Sequence, residues 1–194
     1  MPYTTTRELT YVAVFAALIA VGALVSVPVG TVPFTLQVLF VLLAGMMLGP
    51  RLGVLSVAVY LVLGLIAPVY AGGTSGIGVL FGPTGGFLWG FTLAAMLTGA
   101  IASLHPRNLG VLVLAGIAGI VPIYALGAFW LALQAHVTLG AALTLGVVPF
   151  VWADVLKAIG AALIARSLVS LPLGLPGPLR GRSRPLARGR ADAD

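Results

Sequence analysis

Apolar runs along this chain, uncharged in all but the last, alternate with short breaks made of Pro, Gly or Arg. The runs fall at about 9–27, 33–48, 52–67, 83–103, 110–134 and 149–169. Crossing the hydrocarbon core of a membrane takes about 20 residues of helix. Four of the runs approach that length; the second and third are slightly short, which local thinning of the bilayer accommodates. Pro122 within the fifth predicts a kink there. The pattern predicts an all-α integral membrane protein, a bundle of six transmembrane helices over residues 1–170, followed by a basic, disordered cytoplasmic tail over 171–194. The first run, at 19 residues, exceeds the roughly 7–15 apolar residues of a signal peptide, so it is read as a retained span.

Charge placement then sets the orientation. With the N-terminus inside, Arg7, Arg51, Arg107, Arg166 and the five arginines of the tail (Arg180, Arg182, Arg184, Arg188 and Arg190) all fall on the inner side. The three opposite loops, about 28–32, 68–82 and 135–148, contain no Lys, Arg, Asp or Glu. Cytoplasmic loops carry the excess of basic residues, so both termini are expected in the cytoplasm of a multi-pass protein of the cell (plasma) membrane.

Composition agrees. The chain is 60% hydrophobic and 7% charged, with mean hydropathy +1.17, against roughly 25% charged residues in a soluble domain. Its solvent must be lipid over most of its area. The net charge of +6 does not point to nucleic acid: half of the basic residues sit in the tail, beside the membrane, where they meet anionic lipid or set topology. There are no cysteines, which excludes disulfides, thiolate catalysis and cysteine metal sites.

The chemistry is concentrated at one place. The sixth run begins Pro149-Phe150-Val151-Trp152-Ala153-Asp154-Val155-Leu156-Lys157, with the only lysine of the protein and the only acid between Glu8 and Asp192. A charge at the centre of a span costs about 2.5–3.5 kcal/mol on insertion scales. The spacing i, i+3 puts both groups on one helix face, and they are expected to face the bundle interior. At about 1.5 Å per residue, Asp154 lies roughly 8 Å and Lys157 roughly 12 Å below Pro149. Both therefore sit in the outer half of the membrane, beneath the glycine-rich 68–82 loop. Three readings stay open: a self-satisfied ion pair that fixes packing, a proton relay, and the favoured one, a polar ligand site. In that site Asp154 accepts ligand N–H groups, Lys157 pairs with a ligand carboxylate, and Trp152, Phe150, Tyr70 or Phe34 wall an apolar ligand body. The 68–82 loop, followed by Pro83-Thr84-Gly85-Gly86, is either a plain connection or a lid. It lacks the Gly-Lys-Ser/Thr ending of a phosphate loop. No catalytic constellation, metal site or cofactor is expected; His105 and His136 are isolated. Ala13 and Ala17, with the offset pair Ala16 and Ala20, form small-xxx-small faces on the first span, suited to close helix approach within the bundle or against a partner.

Several stretches carry a resemblance: Val32-Pro33-Phe34-Thr35-Leu36-Gln37 with Gly45 through Gly53, Ala71-Gly72-Gly73, Gly82-Pro83-Thr84-Gly85-Gly86-Phe87, and Pro149-Phe150 followed by Asp154-x-x-Lys157. Together, over about residues 7–169, they resemble the BioY biotin transporters, the substrate-binding (S) components of energy-coupling factor (ECF) transporters. The resemblance implies a six-helix protein that binds biotin from outside and is not an enzyme. It implies contact of Ala13 and Ala17 with a transmembrane coupling (T) subunit, and energy from two cytoplasmic ATPase subunits. The substrate-binding set expected from residues and resemblance together is Asp154, Lys157, Trp152, Tyr70, Phe34, Gln37, Gly73, Thr84 and Gly85. The chain departs from the family pattern at Trp152 and Ala153, and its 71–78 loop has no charged or amide side chain. The rival readings are an S component for another carboxylated vitamin, a membrane enzyme with Lys157 as base, and a membrane structural subunit.

Overall fold

A computed structural model describes residues 5–169. The expected basic tail over 171–194 lies outside the described residues. The first helix, α1 (Thr6–Leu24), opens on a capping box: the Thr5 hydroxyl accepts the Glu8 backbone N–H at 3.3 Å, and the Glu8 carboxylate accepts that of Thr5 at 2.8 Å. Two of the first turn's orphan donors are thereby satisfied. The helix ends three residues before the predicted limit of the span, because Ser26–Val27 (β1) pairs antiparallel with Phe34–Thr35 (β2). Two-residue strands leave no periodicity to read in a sequence.

The next element, α2 (Gln37–Ile66), is two helical arms joined across a break. Gly49 has φ 80° and ψ 178°, a backbone region that glycine enters readily and other residues enter at a cost. Pro50 follows it and cannot continue the ladder. The Gln37 amide donates to the Tyr60 hydroxyl at 2.5 Å; along a straight helix those residues would lie roughly 34 Å apart. The chain thus folds back on itself at Gly49, and its two arms lie antiparallel. They touch at Gly45 and Gly53, where a Cβ on Gly53 would come within 3.0 Å of the Gly45 Cα. Small residues of this kind let helices approach closely in a membrane, where apolar burial between helices supplies little drive.

A 3-10 turn (Ala71–Gly73) and the short α3 (Ile77–Phe81) lead into α4 (Gly85–Ala102), followed by α5 (Leu109–Ala135), α6 (Leu139–Gly146) and α7 (Val151–Val169). α5 runs on through Pro122. The axes of α6 and α7 are bent by 55°. α4 packs against α5 and α2, while α7 packs against α2 and α5. The inner face of α7 is a row of buried alanines, Ala158, Ala161, Ala162 and Ala165, and its outer face carries exposed Leu156, Leu163 and Ile164. An outward apolar face of this extent calls for lipid.

The structure divides the chain differently from the expected six helices. Seven α-helices occur among the described residues. Four are long and apolar enough to cross a membrane, or five if α6 and α7 form one bent span. The second and third predicted spans appear as the two arms of α2. The segments 68–82 and 135–148, expected as external loops, contain α3 and α6. The interior is fully satisfied: no buried side-chain N or O among the described residues lacks a hydrogen-bond partner. Thr98 on α4, for example, donates to the Ala115 carbonyl of α5 at 3.2 Å.

Candidate functional site

The first two turns of α7 carry Asp154 and Lys157, exposed by only 4% and 9%. Their spacing closes a short ion pair, Lys157 Nζ to Asp154 Oδ1 at 2.6 Å. Each group has a second partner from another element. Lys157 Nζ donates to the Thr35 backbone carbonyl at 2.6 Å, which ties α7 to the β1–β2 hairpin, and lies 4.0 Å from the centroid of the Phe34 ring. The Tyr124 hydroxyl of α5 donates to Asp154 Oδ2 at 2.6 Å. Charge-assisted bonds this short compensate the desolvation of both charges.

A chain of polar groups runs outward from the pair. The Thr35 hydroxyl donates to Gln37 Oε1 at 3.0 Å, and Gln37 Nε2 in turn donates to Tyr60. Tyr60 meets Tyr70 edge to face, with ring centroids 5.7 Å apart. Tyr70 is fully buried and donates to the Leu61 carbonyl at 2.6 Å. Burial pushes its phenol pKa up, so it stays a neutral donor. Its ring occupies the space beside Gly64, where any Cβ would strike it.

A cavity of about 80 Å³ adjoins the ion pair. Its polar lining is Thr35, Gln37, Thr84, Tyr124, Asp154 and Lys157. Phe34, Tyr70, Phe87, Phe91, Ile123 and Phe150 supply apolar wall. Ala71 and Val79 close it from the glycine-rich segment, so residues 68–86 do fold over the bundle. Two indoles hold that segment down. Trp89 Nε1 donates to the Leu80 carbonyl at 3.1 Å, and Trp130 Nε1 to the Gly82 carbonyl at 2.9 Å.

Of the expected substrate-binding set, Asp154, Lys157, Phe34, Gln37, Tyr70 and Thr84 meet at this cavity. Trp152 does not: it is 79% exposed. The reason is helical geometry, since two residues turn the helix by about 200°, to the side opposite Asp154. Gly73 lies in the exposed 3-10 turn with φ 74°, and Gly85 is buried against the Leu80 carbonyl; neither lines the cavity. Ala13 and Ala17 lie on the exposed face of α1, while Ala16 and Ala20 are buried. Sequence reasoning missed Tyr124, Tyr60 and Thr35. A phenol inside an otherwise apolar run was the available signal for the two tyrosines; the Thr35 contact is made by backbone and leaves none. Among the described residues no group of three or more His, Cys, Asp or Glu could hold a metal ion.

This site can be set beside known proteins. The chain is 46% identical to the biotin transporter BioY of Thermotoga maritima over 85% of its length and 97% of that protein's. It is 43% identical to the probable biotin transporter BioY of Pyrococcus horikoshii, over 84% of its own length and 96% of the relative's. The fold superposes on a crystal structure of the S-component for biotin from an ECF-type ABC transporter with a TM-score of 0.76 and 33% identity, covering 83% of this chain and 89% of that one. The family model described as BioY matches residues 1–172, and with it the arms of α2, the segment over the cavity and the Asp154–Lys157 face of α7: the chain belongs to the BioY family.

Proposed function

We propose that this protein is the biotin-binding S component of an ECF-type transporter, capturing biotin from the external side at the cavity beside Asp154 and Lys157. One observation carries the assignment of the site. A carboxylate and an ammonium group are buried in an apolar helix bundle, and the same two groups form the wall of a cavity. A pair that served packing alone would need no adjoining space.

The chemistry matches the ends of biotin. Asp154 has lone pairs beyond those taken by Lys157 and Tyr124, and these accept a ureido N–H. Lys157 exchanges the Thr35 carbonyl for the valerate carboxylate, a charged partner in place of a neutral one. Phe34, Tyr70 and Phe150 pack on the fused rings and the aliphatic chain. A cavity of about 80 Å³ is smaller than the roughly 300–1,000 Å³ of small-molecule pockets. Binding therefore requires Lys157 to swing toward the carboxylate and the 68–86 segment to lift. The backbone around Gly73, Thr84 and Gly85 belongs to that moving segment and offers further hydrogen bonds to the ligand.

The two arms of α2 count as separate crossings in this reading, giving six in all, with α3 and α6 on the external side and both termini in the cytoplasm of the cell membrane. The positions of the arginines support that orientation. Ala13 and Ala17, small and exposed on α1, form the surface against the T subunit, and two cytoplasmic ATPase subunits supply energy through it.

The test is competition. Detergent-purified protein is loaded with labelled biotin and challenged with unlabelled biotin or other carboxylated vitamins. Displacement by biotin alone is expected. Equal displacement by another vitamin would reassign the substrate, and no saturable binding at all would favour a structural subunit.

A further inference from the structure

We infer that Tyr124 is the positioning residue for Asp154: its phenol fixes the carboxylate so that the unused lone pairs face a ligand N–H donor. This inference rests on the reading of Asp154 as the ureido acceptor. The terminal torsion of an aspartate is broad when nothing restrains it. Here Oδ1 is held by Lys157 from the same helix, and Oδ2 by Tyr124 from α5, each at 2.6 Å. The two restraints are not equivalent. Lys157 is the group a ligand carboxylate draws away, so its hold on Oδ1 loosens as the ligand enters. Tyr124 makes no such exchange. It holds Oδ2 from a second helix while Lys157 moves, which keeps the acceptor plane pointed into the cavity.

The ring has a separate duty from the hydroxyl. Tyr124 lines the cavity and also an apolar groove on the far side, between α5 and α6, with Leu126, Phe129, Leu139 and Leu143. The ring is thus the partition between the site and the lipid-facing surface. Tyr124→Phe leaves that partition in place and deletes only the O–H.

The experiment is a double-mutant cycle on the full chain in detergent, read as the affinity for biotin, titrated to millimolar concentration. Tyr124→Phe is expected to weaken binding about tenfold, as loss of a charged hydrogen bond does. In the Asp154→Asn background the same change should alter affinity less than twofold, because its effect passes through Asp154. A second arm uses the two biotin isomers methylated on one or the other ureido nitrogen; Tyr124→Phe should cost less than threefold for the isomer whose methyl replaces the N–H that faces Asp154, and about tenfold for the other. An equal loss in both backgrounds, or for both isomers, would overturn the inference, as would unchanged affinity in Tyr124→Phe. A Tyr124→Phe protein that loses its fold would overturn it too, by making the hydroxyl structural. Absence of biotin binding by the unmodified chain would remove the function proposed above, and this inference with it.

Discussion

At the scale of the residue, the site depends on how many partners each charge finds. Lys157 has three N–H donors, and the protein engages them with one carboxylate, one backbone carbonyl and the face of Phe34. Asp154 has one donor on each oxygen. Neither charge is left orphaned, which is why both persist at lipid depth. Trp152 stands two residues before Asp154 and shares none of this. Trp152→Ala should leave biotin affinity within twofold of the unmodified chain in equilibrium binding; a loss of tenfold would put the indole in the site despite its outward face. The Asp154–Lys157 pair was legible in the sequence because no other charge lies deep in a span. Trp152 was misread although the same periodicity that paired Asp154 with Lys157 excludes it. The pairing of Tyr124 with Asp154 and of the Thr35 carbonyl with Lys157 was not legible, because these contacts join residues 30 and 122 positions apart, and local spacing carries no information at that range.

At the scale of the element, the segment over the cavity is held by a few directional bonds rather than by a packed core. α3 has one buried residue, Leu80. The indoles of Trp89 and Trp130 hold the carbonyls on either side of Phe81, and Phe81 packs against both rings at centroid distances of 6.1 and 6.5 Å. Trp130→Phe keeps an aromatic ring there and removes the N–H. A lost neutral hydrogen bond is worth about 0.5–1.5 kcal/mol, so biotin should dissociate about two- to tenfold faster in stopped-flow exchange. An unchanged off-rate would mean that this segment does not gate the site. α3 and α6 were hidden in the sequence because helices of five and eight residues are too short to show a hydrophobic period. The reversal inside α2 was legible from Gly49-Pro50 followed by Arg51: the Gly-Pro step breaks the helix, and the arginine belongs at an aqueous boundary.

At the scale of the whole molecule, the arrangement is asymmetric along the membrane normal. The cavity and the segment that covers it lie toward one side, and the arginines of the described chain lie toward the other. The absence of native cysteine makes this orientation directly testable. A membrane-impermeant maleimide should label Ser75→Cys in intact cells and His105→Cys only after permeabilisation; the reverse pattern would invert the topology and place the site on the cytoplasmic side. The apolar runs made the membrane bundle legible from the outset, since lipid requires nearly uncharged stretches of a set length. The way the helices pack was not, because small residues occur throughout this alanine- and glycine-rich chain and only the fold distinguishes buried Ala16 from exposed Ala17.

The central claim is that an acid and an amine are buried in this bundle because a ligand requires them. Isothermal titration of the detergent-purified protein with biotin tests it most directly, run beside Asp154→Asn and Lys157→Ala. A saturable single-site heat is predicted for the unmodified chain, with affinity at least tenfold weaker in each variant, in keeping with about 1.5–3 kcal/mol for a charged hydrogen bond. Undiminished affinity in both folded variants would contradict it.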